Sequence, residues 1–157
     1  MADSLTEEIS VFIESSTQAE MLNEQRGLDN TMHPDEIMFF EPHPAALPLY
    51  DQLRSCILAA VPDARIEVKK TQISFFVKHM FAAVSFTPVR KAKDRPEPFL
   101  TVTFGLPYQA ISQRIDASAE PYPGRWTHHV MIGSGKEINE ELMGWIREAA
   151  AFSSRKR

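Results

Sequence analysis

One short run of residues has the types that metal-dependent nucleases use. Pro62 and Asp63 are followed by Glu67 and Lys69. In such nucleases the carboxylates hold a divalent cation and the lysine lies beside the attacking water. Glu67 and Lys69 share one face of a predicted strand, but the three residues after Asp63 leave no room for the hairpin that would bring the carboxylates together. A solvated strand face explains the same residues, so a metal-dependent phosphodiesterase is kept as an alternative.

The other residue types that could carry chemistry are isolated. His128 and His129 are adjacent on a predicted strand, so their side chains point to opposite faces and cannot bind one metal ion together. Cys56 lies on the apolar stripe of a predicted helix, where a buried and unreactive thiol is expected. Residues 133–136 lack the spacing of a Walker loop. The leading interpretation therefore has no catalytic residue, no metal ligand and no cofactor.

Charge is divided unevenly along the chain. Residues 1–60 carry eleven acidic residues against two arginines, whereas residues 61–136 carry eleven basic residues against six acidic ones. The formal net charge of −4 therefore hides a basic middle, which favours an anionic partner or the chain's own acidic segment. We predict a binding surface on a basic sheet face and its flanking loop, formed by Lys69, Lys70, Arg90, Lys91, Lys93, Arg125, Trp126 and His128.

Several kinds of partner are compatible with this composition. Nucleic acid is the first that a basic surface suggests, and a phosphorylated or carboxylate ligand is the second. The acidic segment is expected to dock on the basic face and compete with either of them. The bases could instead only solvate the sheet. A further alternative is a structural protein that forms a homodimer through its N-terminal arm, which includes Phe12 and Met21.

The elements that position these residues predict one domain. We predict an acidic, partly helical arm over residues 1–36, with an amphipathic helix from Ser4 to Ile13, and a compact domain over residues 37–157. Apolar periodicity predicts helices from Pro48 to Val61 and from Ile138 to Phe152. Runs rich in β-branched and aromatic residues predict strands near 65–69, 73–77, 81–86, 99–104, 111–119 and 126–132.

This order of elements favours an α+β fold. Hairpin-connected strands between two helices indicate a single antiparallel sheet of five or six strands, with the N-proximal and C-terminal helices on one face. No basic leader or long apolar run suggests a signal peptide or a membrane span. A single cysteine suits a reducing compartment. We therefore expect a cytoplasmic protein with no membrane partner.

Four short segments carry a resemblance to a known family. They are LYDQL at residues 49–53, EVKKTQISF at 67–75, RWTHHV at 125–130 and ELMGWI at 141–146. With them, residues 45–152 resemble an uncharacterised bacterial family, domain of unknown function 5655. The resemblance implies one compact α+β domain and brings no activity or cofactor. Lys69 and Thr71 would meet Arg125 and Thr127 if their strands were neighbours.

Overall fold

The chain divides into two compact units, Met1–His33 and Pro34–Arg157. The structure is a computed structural model that describes residues 31–155. The helix that the sequence predicts from Ser4 to Ile13 lies outside the described residues.

Three α-helices and six strands make up the described part of the second unit. The helices are α1 (Pro34–Phe39), α2 (Leu47–Ala60) and α3 (Glu140–Arg155). The strands are β1 (Arg65–Val68), β2 (Gln72–Phe76), β3 (Met80–Ser85), β4 (Leu100–Leu106), β5 (Ala117–Tyr122) and β6 (Arg125–Ile132). Short 3-10 turns occupy Pro44–Ala46, Ala92–Asp94 and Gly135–Glu137. The predicted α+β fold is confirmed, whereas α1 was not predicted as a helix.

The strands form one antiparallel sheet in the order β1-β2-β3-β4-β6-β5. Helix α3 lies against β3 and β4, and α2 packs against α3. The registers align buried side chains into rows beneath α3, of which one contains Phe75, Ala82, Phe104 and His128. Burying each large apolar side chain in these rows stabilises the fold by about 1.5–3 kcal/mol.

Both long helices begin within two residues of their predicted starts. Pro48 lies in the first turn of α2, where its missing N–H costs no hydrogen bond. Asn139 caps α3, because its Oδ1 accepts a hydrogen bond from the Leu142 N–H at 3.2 Å. Glu140 and Glu141 follow in the first turn, where their negative charges interact favourably with the positive end of the helix dipole.

The strand predicted over 111–119 is wrong in its first half. Residues 107–116 are irregular, and β5 begins only at Ala117. Arg114 holds this connection to the start of α3, since its guanidinium donates to the Glu137 carbonyl at 2.6 Å and to Asn139 Oδ1 at 2.7 Å. Ile111, one of the apolar residues in the alternating pattern, is 84% exposed. The pattern there therefore does not mark the buried face of a strand.

Candidate ligand-binding groove

An open groove of about 520 Å³ lies where three parts of the fold meet. One wall comes from α1 and the connection to α2, a second from the turn between β1 and β2, and a third from the residues that follow β3. Its lining combines aromatic, apolar and polar side chains: Met38, Phe39, Pro42, His43, Lys70, Thr71, Phe86 and Thr87. We refer to it as the Lys70 groove. Its volume lies within the range that is common for small-molecule sites.

Local backbone contacts place the two polar walls. The Lys69 N–H donates to the Gln72 carbonyl at 2.8 Å, which closes the turn between β1 and β2 and leaves Lys70 and Thr71 exposed at its tip. On the third wall, the Ser85 hydroxyl donates to Thr87 Oγ1 at 2.9 Å. The Thr87 hydroxyl therefore keeps its own hydrogen for a ligand.

Phe86 is the aromatic centre of the groove. Its ring stacks on Phe39 with centroids 5.9 Å apart, and it packs against the His43 ring at 4.2 Å with a tilt of 33°. It also meets Phe40 and Phe99 edge-on, at 5.6 and 5.8 Å. Such contacts fix a ring in one orientation, because each pair has a preferred geometry. The aromatic wall is therefore formed before any ligand enters.

A second cavity of about 230 Å³ adjoins the groove at the His43 and Phe86 rings. It is lined mainly by prolines and apolar residues, namely Pro42, His43, Pro44, Ala45, Ala46, Phe86, Glu97, Pro98 and Phe99. We refer to it as the Glu97 cavity. The two spaces share Pro42, His43 and Phe86, so this ring pair is a common wall.

A buried ionic cluster holds α1, and with it one wall of the groove, in place. Glu36 accepts hydrogen bonds from the Tyr50 hydroxyl and from Arg54 Nε, the latter at 2.7 Å. All three side chains are buried. Burial, together with the hydrogen bond to Glu36, raises the pKa of Tyr50 well above its usual range, so Tyr50 stays neutral. Sequence analysis missed this cluster, because the three residues share no motif spacing.

Four of the predicted binding residues occupy separate places. Lys70 lines the groove. Lys69 Nζ lies 5.3 Å from the centroid of the Phe76 ring, on the face of the sheet away from α3. Arg125 begins β6, and half-buried Trp126 follows it. The strand order puts β1 four spacings from β6, about 19 Å, so Lys69 and Arg125 do not meet.

The basic residues of the loop before β4 form two groups. The arginines make hydrogen bonds within the protein, and the lysines are exposed. Arg90 Nε donates to Asp116 Oδ1 at 2.8 Å, and the same guanidinium donates to the Met131 carbonyl at 3.2 Å. Arg95 donates to the Arg90 carbonyl at 2.9 Å. Lys91 and Lys93 are exposed. Arg90 therefore ties the loop to the sheet instead of presenting its charge to solvent.

The two adjacent histidines face opposite sides of the sheet, as their sequence positions indicate. His128 is fully buried between the sheet and α3, and its Nε2 accepts the Ala110 N–H at 3.0 Å. His129 Nδ1 lies 2.8 Å from Thr103 Oγ1 on the other face. Burial lowers the pKa of both rings. His128, which was predicted to bind a ligand, is not accessible from the surface.

These lowered pKa values predict a loss of stability in mild acid. Below about pH 6.5, the usual pKa of histidine in an unfolded chain, the unfolded state binds protons that the folded state does not bind. Lowering the pH therefore stabilises the unfolded state relative to the folded state. We expect the free energy of unfolding to be lower at pH 5.5 than at pH 7.5, because burial keeps the His128 ring neutral in the folded state. Urea denaturation at both pH values, with NMR titration of the His128 ring, checks this. An unchanged urea midpoint and a ring that protonates near pH 6.5 would contradict it.

The geometry lends no support to a metal-dependent nuclease. Glu67 Oε2 lies 3.9 Å from Arg65 Nη1 on exposed β1. Across residues 31–155, no three or more histidine, cysteine or acidic side chains are grouped so that they could hold a metal ion. In the same range, no helix combines the length and the apolar character that crossing a bilayer requires.

Comparison with known proteins decides the family. The model of the family described as domain of unknown function (DUF5655) matches residues 38–153. The chain belongs to this family. The match includes the whole lining of the Lys70 groove and the Glu97 cavity, so both are parts of the DUF5655 domain. No curated protein and no solved structure matches the chain.

Proposed function

We propose that this DUF5655 domain binds, in the Lys70 groove, a small ligand that has an anionic group and a planar or apolar body. The observation that carries the proposal is that one lysine, two threonines and an aromatic wall line the same space of about 520 Å³. Ligand sites typically combine a mostly apolar lining with a few polar groups that fix orientation.

Each group of lining residues would make a different contact with the ligand. Lys70 supplies a positive charge with three donors, and no hydrogen bond or ion pair within residues 31–155 occupies its side chain. Thr71 and Thr87 can donate to the same carboxylate or phosphate group. Phe39 and Phe86 offer ring surface to the rest of the ligand. A charge-assisted hydrogen bond and aromatic contact would then act together.

A small ligand fits the distribution of basic residues better than nucleic acid does. Phosphate backbones are bound by several cations along one track. Arg90 and Arg95 make hydrogen bonds within their own loop and to the neighbouring sheet, and Arg125 lies four strand spacings from β1. Lys70 is the predicted cation that lies in a concave site.

The test is an NMR titration of the full-length protein with phenyl phosphate and with benzoate. We expect the amide signals of Thr71, Phe86 and Thr87 to shift. Lys70→Gln should weaken binding about tenfold, because it removes one charge-assisted hydrogen bond worth about 1.4 kcal/mol. Lys136→Gln is the matched control, since it removes an exposed lysine from a 3-10 turn outside the groove lining.

Two results would overturn the proposal. The first is a failure of the groove to bind: neither anion binds, or Lys70→Gln and Lys136→Gln weaken binding equally. The other is tight binding of a fluorescent oligonucleotide that Lys70→Gln leaves unchanged, which would assign the domain to nucleic acid through other cations.

A further inference from the structure

The Glu97 cavity has a lining that suits an alkyl chain ending in a cation. Three prolines and two phenylalanines supply the apolar surface: Pro42, Pro44, Pro98, Phe86 and Phe99. Glu97 is the only acidic residue in the lining. Alkyl stems of basic groups pack on such surfaces while their charged ends reach a carboxylate or the face of a ring.

The position of this cavity links it to the Lys70 groove. His43 and Phe86, whose ring centroids are 4.2 Å apart, belong to both linings. The two spaces therefore adjoin, and a ligand in both would have to extend across these two rings. A positive side chain, Lys70, lines one space and a negative side chain, Glu97, lines the other.

Neither charge is neutralised by the part of the chain that the structure describes. The ion pairs of residues 31–155 involve other side chains, and no hydrogen bond of this range uses the Lys70 ammonium or the Glu97 carboxylate. Both side chains are exposed at the edges of concave spaces. Opposite charges in the linings of two adjoining spaces complement a ligand that carries both signs.

We infer that the ligand is zwitterionic, with a carboxylate in the Lys70 groove and a guanidinium or ammonium group on an alkyl chain in the Glu97 cavity. Arginine and lysine derivatives with a free carboxylate, including the C-terminal residue of a peptide, have this chemistry. The inference rests on the proposed function, because it assumes that Lys70 receives the anionic group. The guanidinium would bind Glu97 through paired hydrogen bonds and lie near Phe86 or Phe99.

The experiment compares two probes that differ in one group. Nα-acetyl-L-arginine carries a carboxylate and a guanidinium, and Nα-acetyl-L-citrulline has the same shape with a neutral urea group. NMR titration of the full-length protein should show the arginine probe binding at least tenfold more tightly. Glu97→Gln should abolish that difference. Asp94→Asn, which neutralises an exposed carboxylate in the same loop outside both linings, should preserve it.

The outcomes separate this inference from the proposed function. Equal affinities for the two probes, or a preference for arginine that survives Glu97→Gln, would overturn the inference. If phenyl phosphate still binds in a Lys70-dependent way in that case, the proposed function stands. If neither the probes nor phenyl phosphate bind, both fail.

Discussion

Replacing Glu36 with glutamine is expected to lower the free energy of unfolding by about 3 kcal/mol, at the lower end of the cost of breaking a buried ion pair. The substitution keeps the shape of the side chain and removes its charge. The guanidinium of Arg54, only 4% exposed, then loses the carboxylate that it contacts at 2.7 Å. The Tyr50 hydroxyl also loses a charged acceptor for its hydrogen bond.

Urea denaturation followed by circular dichroism measures this loss. Glu41→Gln is the matched control, because it makes the same change two residues beyond the end of α1, at an exposed position. We expect that control to stay within about 0.5 kcal/mol of the original chain. Equal losses for the two variants would show that the buried Glu36 charge stabilises the fold no more than the exposed Glu41 charge does. A loss confined to Glu36→Gln would show that the cluster anchors α1, which supplies Met38 and Phe39 to the Lys70 groove.

Replacing Phe104 with alanine is expected to cost about 3–5 kcal/mol, the range typical of emptying a buried phenylalanine site. Phe104 is 1% exposed on β4. Its ring lies between His128 and Trp145, with centroids 5.1 and 5.4 Å away and interplanar angles of 11° and 16°. Removing the middle ring of three leaves a cavity with two rigid planar walls, which collapse poorly into the space.

Phe76→Ala is a suitable comparison, because Phe76 is half-buried on β2 and carries cations near its outer face. It should lose less than half as much stability as Phe104→Ala in urea denaturation. The fluorescence of Trp145 should also change in Phe104→Ala, because its stacking partner is gone. A loss below about 1.5 kcal/mol with unchanged fluorescence would contradict a central role for the stack.

The fold was predictable because its signals are local. Each of β1, β2, β3, β4 and β6 is a short run with the expected composition, and apolar spacing located α2 and α3. The strand prediction fails at residues 111–116 because tertiary contacts determine the conformation there. Arg114 reaches residues 23 and 25 positions away to hold that connection, and alternation along the chain contains no information about such contacts.

The candidate site was predictable only in part, for the same physical reason. Lys70 was selected by its charge and by the family resemblance, and it lies in the groove. Arg90 was selected by charge alone, yet its partner Asp116 lies 26 residues away. His43 and Phe86 join the site through ring stacking across 43 residues, and neither belongs to any short motif. Charge marks residues that could bind, whereas packing decides which of them face a concave space.

The four ring contacts of Phe86 make its orientation a shared property of the two spaces beside it. A larger occupant on one side can be accommodated only by tilting a ring that also shapes the other side. Under the proposed function, the affinities of the two spaces for their ligand groups should therefore be linked, and substitutions in different spaces should not have additive effects on binding. Specificity in this domain would then be set jointly, with one phenyl ring as the element through which each half of a ligand influences the other.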